Sequence, residues 1–409
     1  MKKRRYKNWA ALFTANFYGV FNDNFLKHCI IFIAVSWNLP SGLSQAQIIS
    51  AVSAALVIPY LFLSPFSGTL SVRKNKKTIF SILKLSEIPV MVLACISFYY
   101  QWILLSIFVV FLLGIISCLY SPSKYSLIRD IGGEENVSFG SGMVEAMAFL
   151  GILLGALGAS VMSDHYHFPV FAGILIGLTI LGFISANSLK VKELPVTTNS
   201  SSTNNPIKFF ISNYKFAKQH SNVNIAVLGY SLFWLIAGLI QMNLVIHCKN
   251  ALYLSNTMTG VIMSIAAFGI IAGCIIIGKI SKNTVKTEYI FIGLTGMIVA
   301  LAYILIFNPN IIAFGISVFV LAFMGGCFQV PCLALVQKAD VGRKLGDLMA
   351  YLNLLTFVFV LGGTLLFSLL NIIFNDNSFI IFGLILVIAI FSLLIFIIKS
   401  PHLLHKKSR

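Results

Sequence analysis

Charge is what this sequence has least of. Only 10% of its 409 residues are charged, and just 12 of those are acidic. A soluble domain carries about 25% charged residues, so the chain lacks the polar surface to cover a globule of this size in water. Cysteine chemistry is missing as well. The seven Cys (29, 95, 118, 248, 274, 327 and 332) include no C-x-x-C pair and sit in or beside apolar segments, as small buried hydrophobes do. The basic start, Met1-Lys-Lys-Arg-Arg5, has no small-x-small cleavage site after it, and Asn22-Asp23-Asn24 interrupts the apolar run that follows. A retained first helix is expected rather than a signal peptide. Enzyme motifs are absent too: no G-x-S-x-G, no H-E-x-x-H and no H-x₄-D acyltransferase signature. Gly273-Cys-Ile-Ile-Ile-Gly278-Lys279 imitates a P-loop, but Ile280 stands where Ser or Thr must be, inside a helical segment. No enzymatic activity, cofactor or metal site is expected.

What the chain does have is apolar length. Hydrophobic residues make up 58% of it, and its mean hydropathy is +0.93. A spanning helix needs about 20 mostly apolar residues. Twelve segments qualify: 8–36, 45–70, 77–99, 101–120, 138–162, 166–189, 222–247, 256–280, 287–307, 310–336, 346–372 and 377–398. The formal charge of +17 would suggest nucleic acid on a soluble protein, but its distribution excludes that. Of 29 basic residues, 26 fall at the two termini or in every second connection, while the alternate connections hold only Lys249. This is the positive-inside pattern with both termini cytoplasmic.

The longest hydrophilic connection holds Glu193-Leu-Pro-Val-Thr-Thr-Asn-Ser-Ser-Ser-Thr-Asn-Asn-Pro206, the composition of a flexible linker. It divides the chain into a half at 1–190, a cytoplasmic linker at 191–221 and a half at 222–409. The halves echo each other. Ser121-Pro122 closes the fourth segment and Pro331 lies late in the tenth, with polar Glu145 and Asn353 following at similar intervals. The expectation is an all-α membrane protein of twelve transmembrane helices in two pseudo-symmetric halves. That arrangement resembles the major facilitator superfamily.

Ionisable groups at bilayer depth are costly unless paired or hydrated, so each is a functional candidate. Asp23 lies midway along the first segment, beside Asn24 and one turn before Lys27. Its carboxylate suits a cationic group or a proton, or else an i, i+4 pair with Lys27. Glu145 either meets substrate or holds the fourth segment through Lys124. Lys124 and Arg129 follow Ser121-Pro122 where that segment is expected to leave the membrane, and they suit a phosphate as well as a plain loop role. Lys84 and Glu87, at i, i+3, read as a mutual pair. Gln241, Asn243 and His247 make the seventh segment the most polar of the second half, with His247 expected as a packing residue. Gly155, with Gly151, and Gly273, with Gly269, mark faces for close helix packing, and these are also candidate surfaces on which the halves slide.

Several stretches go beyond the superfamily. Phe21-Asn-Asp-Asn-Phe-Leu-Lys27, Ser67-Gly-Thr-Leu-Ser71 and Lys84-Leu-Ser-Glu87-Ile each have counterparts in one family. The same holds for Ser121-Pro-Ser-Lys124-Tyr-Ser-Leu-Ile and Gly142-Met-Val-Glu145-Ala-Met-Ala-Phe-Leu-Gly-Ile-Leu-Leu-Gly155, and for Val330-Pro331, Gln337, Gly342-Arg343 and Tyr351-Leu-Asn353. Together they resemble the bacterial lysophospholipid transporter family, which includes the transporter portion of 2-acylglycerophosphoethanolamine acyltransferase fusion proteins. Ser71 and Val72 stand where the superfamily normally carries an Asp, Ser126 replaces a Gly and Ser141 an Asn. The resemblance implies a flippase in the bacterial inner membrane, moving lysophosphatidylethanolamine-type lipids from outer to inner leaflet by alternating access. Membrane lipids and the lysophospholipid are the implied partners, with a separate acyltransferase as a further candidate. With the residue reading above, the candidates are Asp23, Asn24, Lys27, Lys124, Glu145, Gln241 and Asn353 for substrate, and Lys84, Glu87, Arg129, Gly155 and Gly273 for structure or gating. The competing class is an ion-coupled exporter of hydrophobic or cationic molecules, with Asp23 as proton carrier.

Overall fold

A computed structural model describes residues 2–34, 37, 45–193, 205–220, 222–281, 284–375 and 377–403. The described residues form thirteen α-helices and no strand. The first six are α1 (Lys2–Phe32), α2 (Gln45–Arg73), α3 (Lys76–Tyr99), α4 (Ile103–Gly132), α5 (Val137–Asp164) and α6 (Phe168–Asn187). After α7 (Pro206–Gln219) come α8 (Val223–Asn250), α9 (Asn256–Ile280), α10 (Glu288–Phe307), α11 (Ile311–Lys338), α12 (Leu345–Phe374) and α13 (Ser378–Lys399). Among the described residues, 11 helices are long and apolar enough to cross a membrane. The expected count of twelve is not reached by that measure, because α1 mixes its basic start with Asn, Asp, Lys and His side chains.

Two expectations change. Pro122 does not close its helix: α4 runs through it to Gly132 and carries Lys124 inward. Proline removes one backbone donor and kinks a helix without necessarily ending it, and neighbouring helices can satisfy the freed groups. The linker is also not wholly irregular. Its run at 194–204 lies outside the described residues, but α7 follows at once. Asn205 Oδ1 accepts from the backbone N–H of Ile207 at 2.9 Å and of Lys208 at 3.1 Å, and Pro206 takes the first helical position. An Asn cap followed by Pro is a strong helix start. Phe209, Asn213 and Ala217, four residues apart, then form the buried face.

The chain clusters into two compact units. One comprises Met1–Gly133, Met147–Asn213 and Asp340–Leu354, and the other Glu134–Ala146, Tyr214–Ala339 and Leu355–Arg409. Within the first, α2 packs on α4, α3 on α4 and α6, and α1 on α6, α4 and α2. Within the second, the same set recurs seven helices later: α9 on α11, α10 on α11 and α13, α8 on α13, α11 and α9. The pseudo-symmetry is therefore one of neighbour pairs, as two six-helix repeats require.

Small residues set the closest approaches. A side chain at Gly114 of α4 would meet the carbonyls of Leu56 and Ala55 at 2.9 and 3.0 Å, beside Pro59 within α2. Gly155 of α5 would meet Phe21 O of α1 at 2.7 Å, while Gly269 and Gly273 of α9 lie against the α11 backbone at Phe319 and Phe323. Lipid offers no hydrophobic drive between helices, so such backbone contact supplies much of their adhesion. Gly155 and Phe21 lie in the first unit, and Gly269, Gly273, Phe319 and Phe323 in the second, so each glycine face is a packing seam within its own unit.

Candidate functional site

Three helices of the first unit bring polar faces together. In α4, Ser117, Tyr120, Ser121 and Lys124 recur at i, i+3, i+4 and i+7, one stripe of a helix. α1 supplies Asn16 and Asp23, two turns apart, and α3 supplies Lys84 and Glu87. Lys84 Nζ donates to Glu87 Oε1 at 2.7 Å and Oε2 at 3.0 Å, with both side chains buried. The same ammonium sits 4.7 Å from the centre of the Tyr120 ring. A side chain at Gly19 would run into the tip of Lys84 and push it aside. Lys124 Nζ donates to Asn16 Oδ1 at 3.0 Å and lies 4.5 Å from the Tyr125 ring. Ser117 Oγ donates to Asp23 Oδ2 at 3.2 Å, and Asp23 also feels the charges of Glu87, Lys84 and Lys124. Two carboxylates and two ammonium groups thus share one interior. Desolvating any of them alone would cost several kcal/mol.

The other polar groups of α1 go elsewhere. Asn22 Nδ2 donates to Leu175 O at 2.9 Å and Thr179 Oγ1 at 2.8 Å, tying α1 to α6. Asn24 Nδ2 donates back to Val20 O at 2.8 Å. Lys27 is half-buried, and among the described residues it has no acidic partner within ion-pair distance. The alternative pairing of Asp23 with Lys27 is therefore not made. Asp23 turns to α4 instead, where Ser117 donates to it.

In the second unit Glu145 is fully buried near the start of α5. Its Oε1 accepts from Tyr230 Oη of α8 at 3.0 Å and its Oε2 from Gln329 Nε2 of α11 at 2.8 Å. One turn earlier Ser141 Oγ donates to Gln337 Oε1 at 2.6 Å. Gln241 is exposed and joins none of these groups. Asn243 and His247 bond Ser378, the latter at 2.9 Å with Phe314, Phe379 and Phe382 around its ring, a packing role.

Asn353 belongs to the first unit, where its Nδ2 donates to Ser121 Oγ at 2.8 Å. The start of α12 lies in that unit too, at the basic end of α2 and α3. Gly346 lies against Ser71, and Asp347 against Gly68. Arg343 Nη1 donates to Lys74 O at 2.8 Å, and its Nη2 lies 3.6 Å from Glu193 Oε2. Glu193 in turn accepts from the backbone N–H of Lys76 at 2.7 Å and Lys77 at 2.8 Å. The first turn of α3 is thus capped by a carboxylate from beyond α6, since Asn75 makes no side-chain cap of its own. Lys76 Nζ pairs with Asp130 at 2.7 Å, and Arg129 reaches exposed Asp340 at 3.5 Å. This network occupies the corner around Ser71, against which Gly346 packs. Substituting Glu193 with Gln should destabilise the protein by about 1–2 kcal/mol, a lost charged cap and a weakened ion pair. Thermal unfolding in detergent would check it, and an unchanged midpoint would mean the cap is dispensable.

Tyr230, Gln329, Ser117, Tyr120, Asn16 and Glu193 join the predicted groups. The α4 stripe shows its spacing in the sequence. Gln329 and Glu193 show nothing locally, since the groups they bond lie 184 and 117 residues away.

Residues 12–360 match the sequence model of the Major Facilitator Superfamily. The chain belongs to the Major Facilitator Superfamily. As a member it is a multi-pass membrane transporter. The lysophospholipid transporters LplT of Yersinia pestis strain Pestoides F and of Yersinia pseudotuberculosis serotype O:3 are each 24% identical to it over 359 residues, covering 85% of this chain and 83% of theirs. Two solved structures share the superfamily fold at TM-score 0.72. The human organic anion transporter MFSD10 is 11% identical and covers 94% of this chain and 99% of its own. A bacterial homologue of the iron transporter ferroportin in outward-facing state is 13% identical, covering 96% and 99%.

Proposed function

We propose that this superfamily member carries lysophospholipids across a bacterial inner membrane, from the outer to the inner leaflet. The observation that carries the reading is the charge-balanced interior of the first unit. A zwitterionic headgroup brings one ammonium and one phosphate, and Asp23 and Lys124 are groups of the opposite signs held on adjoining helices. Ser117 is a neutral hydroxyl, so Asp23 keeps acceptor capacity for a cation. Likeness to the LplT proteins supports the same substrate class. In this reading Lys84 and Glu87 hold each other and keep the interior neutral between cycles. Asn24, Lys27, Glu145, Gln241 and Asn353 are further candidate contacts, with Arg129, Gly155 and Gly273 in structural or gating roles. Transport proceeds by alternating access of the two six-helix halves, 1–190 and 222–409, joined by the linker at 191–221, with both termini cytoplasmic. A separate acyltransferase would consume the product.

Reconstituted liposomes test this. Inward flip of fluorescent lysophosphatidylethanolamine should depend on protein and fall at least tenfold in both Asp23→Asn and Lys124→Ala. A cation flux driven by a pH gradient, lost in Asp23→Asn and accompanied by no lipid flip, would replace the reading with ion-coupled export.

A further inference from the structure

A second cationic feature lies apart from the buried cluster, at the surface where α1 begins and α6 ends. A groove of about 490 Å³ there is lined by Arg4, Lys7, Asn8, Thr14, Ile184 and Lys190, among others, and among the described residues no acidic side chain lines it. Its frame is built. Asn8 Nδ2 donates to Lys190 O at 3.0 Å and Asn8 Oδ1 accepts from Lys190 N at 3.0 Å, clasping the end of α6 to α1 through backbone atoms. Arg4 Nε donates to the same carbonyl at 3.2 Å, which orients the guanidinium without neutralising it. Among the described residues none of the three cations is ion-paired. Three like charges held around one concavity repel each other unless an anion joins them.

The rest of the groove says what kind of anion. Below the cations, α6 presents Ile180, Leu181 and Ile184 outward, 40%, 45% and 56% exposed, on a helix apolar enough to cross the bilayer. A ligand here meets positive charge at one end and a hydrocarbon-facing helix stripe at the other. A soluble phosphate would use only the first. We propose that this groove is a headgroup site for an anionic phospholipid, with its phosphate among Arg4, Lys7 and Lys190 and its acyl chains along α6. Basic pockets between transmembrane helices hold lipid headgroups in this manner. The site is independent of what the transporter carries, and its ligand is a resident lipid.

Native mass spectrometry of the full chain, released from detergent with added phosphatidylglycerol, phosphatidylcholine or inorganic phosphate, tests it. Phosphatidylglycerol adducts should exceed phosphatidylcholine adducts, and each cation removed should weaken them about fivefold. The triple variant Arg4→Ala/Lys7→Ala/Lys190→Ala should then lose about a hundredfold. Lys190→Ala keeps the backbone clasp with Asn8. Lys7 makes no described side-chain contact, so Lys7→Glu reads the charge even if the triple variant fails to fold. Equal binding of the two lipids, or phosphatidylglycerol adducts unchanged in Lys7→Glu, would overturn the proposal. So would inorganic phosphate displacing the lipid at equal concentration, which would mark a free-anion site.

Discussion

Replacing Lys84 with Met is expected to destabilise the transporter by about 3–5 kcal/mol, the usual consequence of stripping one member from a buried ion pair. Glu87 would be left charged inside the first unit, with Asp23 close enough to add repulsion. The pair itself need not be stabilising. Two charges taken out of water recover in mutual attraction about what they lose in hydration, so an apolar pair of similar volume is often neutral. The double variant Lys84→Met/Glu87→Leu should therefore unfold within about 1 kcal/mol of wild type. A double-mutant cycle on thermal unfolding in detergent measures this. Simple additivity of the two single losses would show that each residue answers to other partners.

Glu145→Leu should have the next largest effect. It removes both acceptors that Tyr230 and Gln329 use, in a site with no exposure. Each orphaned donor costs about 1–3 kcal/mol, so about 2–6 kcal/mol is expected. Glu145→Gln keeps one acceptor and should retain part of that. Gln329 Oε1 has no partner at present, so its amide can flip to receive the new donor. A Leu variant as stable as the Gln variant would show that Glu145 packs by volume alone.

Most helices were legible because lipid makes a simple demand: about 20 apolar residues with the backbone satisfied internally. Segments such as 256–280 and 287–307 fall almost where α9 and α10 lie. The difficulty came where local rules meet tertiary context. Pro122 reads as an end, yet packing carries α4 through it. Asp23 and Lys27 stand at ideal helix spacing, yet Asp23 turns to Ser117. The Asn205-Pro206 start of α7 was open to reading but overshadowed by the polar run before it. The candidate site was half legible. Lys84 with Glu87 shows its spacing, and Ser117, Tyr120 and Lys124 lie on one readable stripe. The carboxylate that caps α3 and the amide that meets Glu145 are properties of the folded chain alone.

The repeated neighbour pairs do not extend to the polar side chains. If Pro122 of α4 and Pro331 of α11 are matched, then Ser117, Tyr120 and Lys124 align with Gly326, Gln329 and Leu333. On this helix the first half carries an ammonium, while the second holds a neutral amide between a small residue and an apolar one. The symmetry holds in the scaffold and not in the polar groups of this helix. Leu333→Lys would bury an ammonium in a closely packed interior whose carboxylate, Glu145, is already held by Tyr230 and Gln329, and should destabilise the protein.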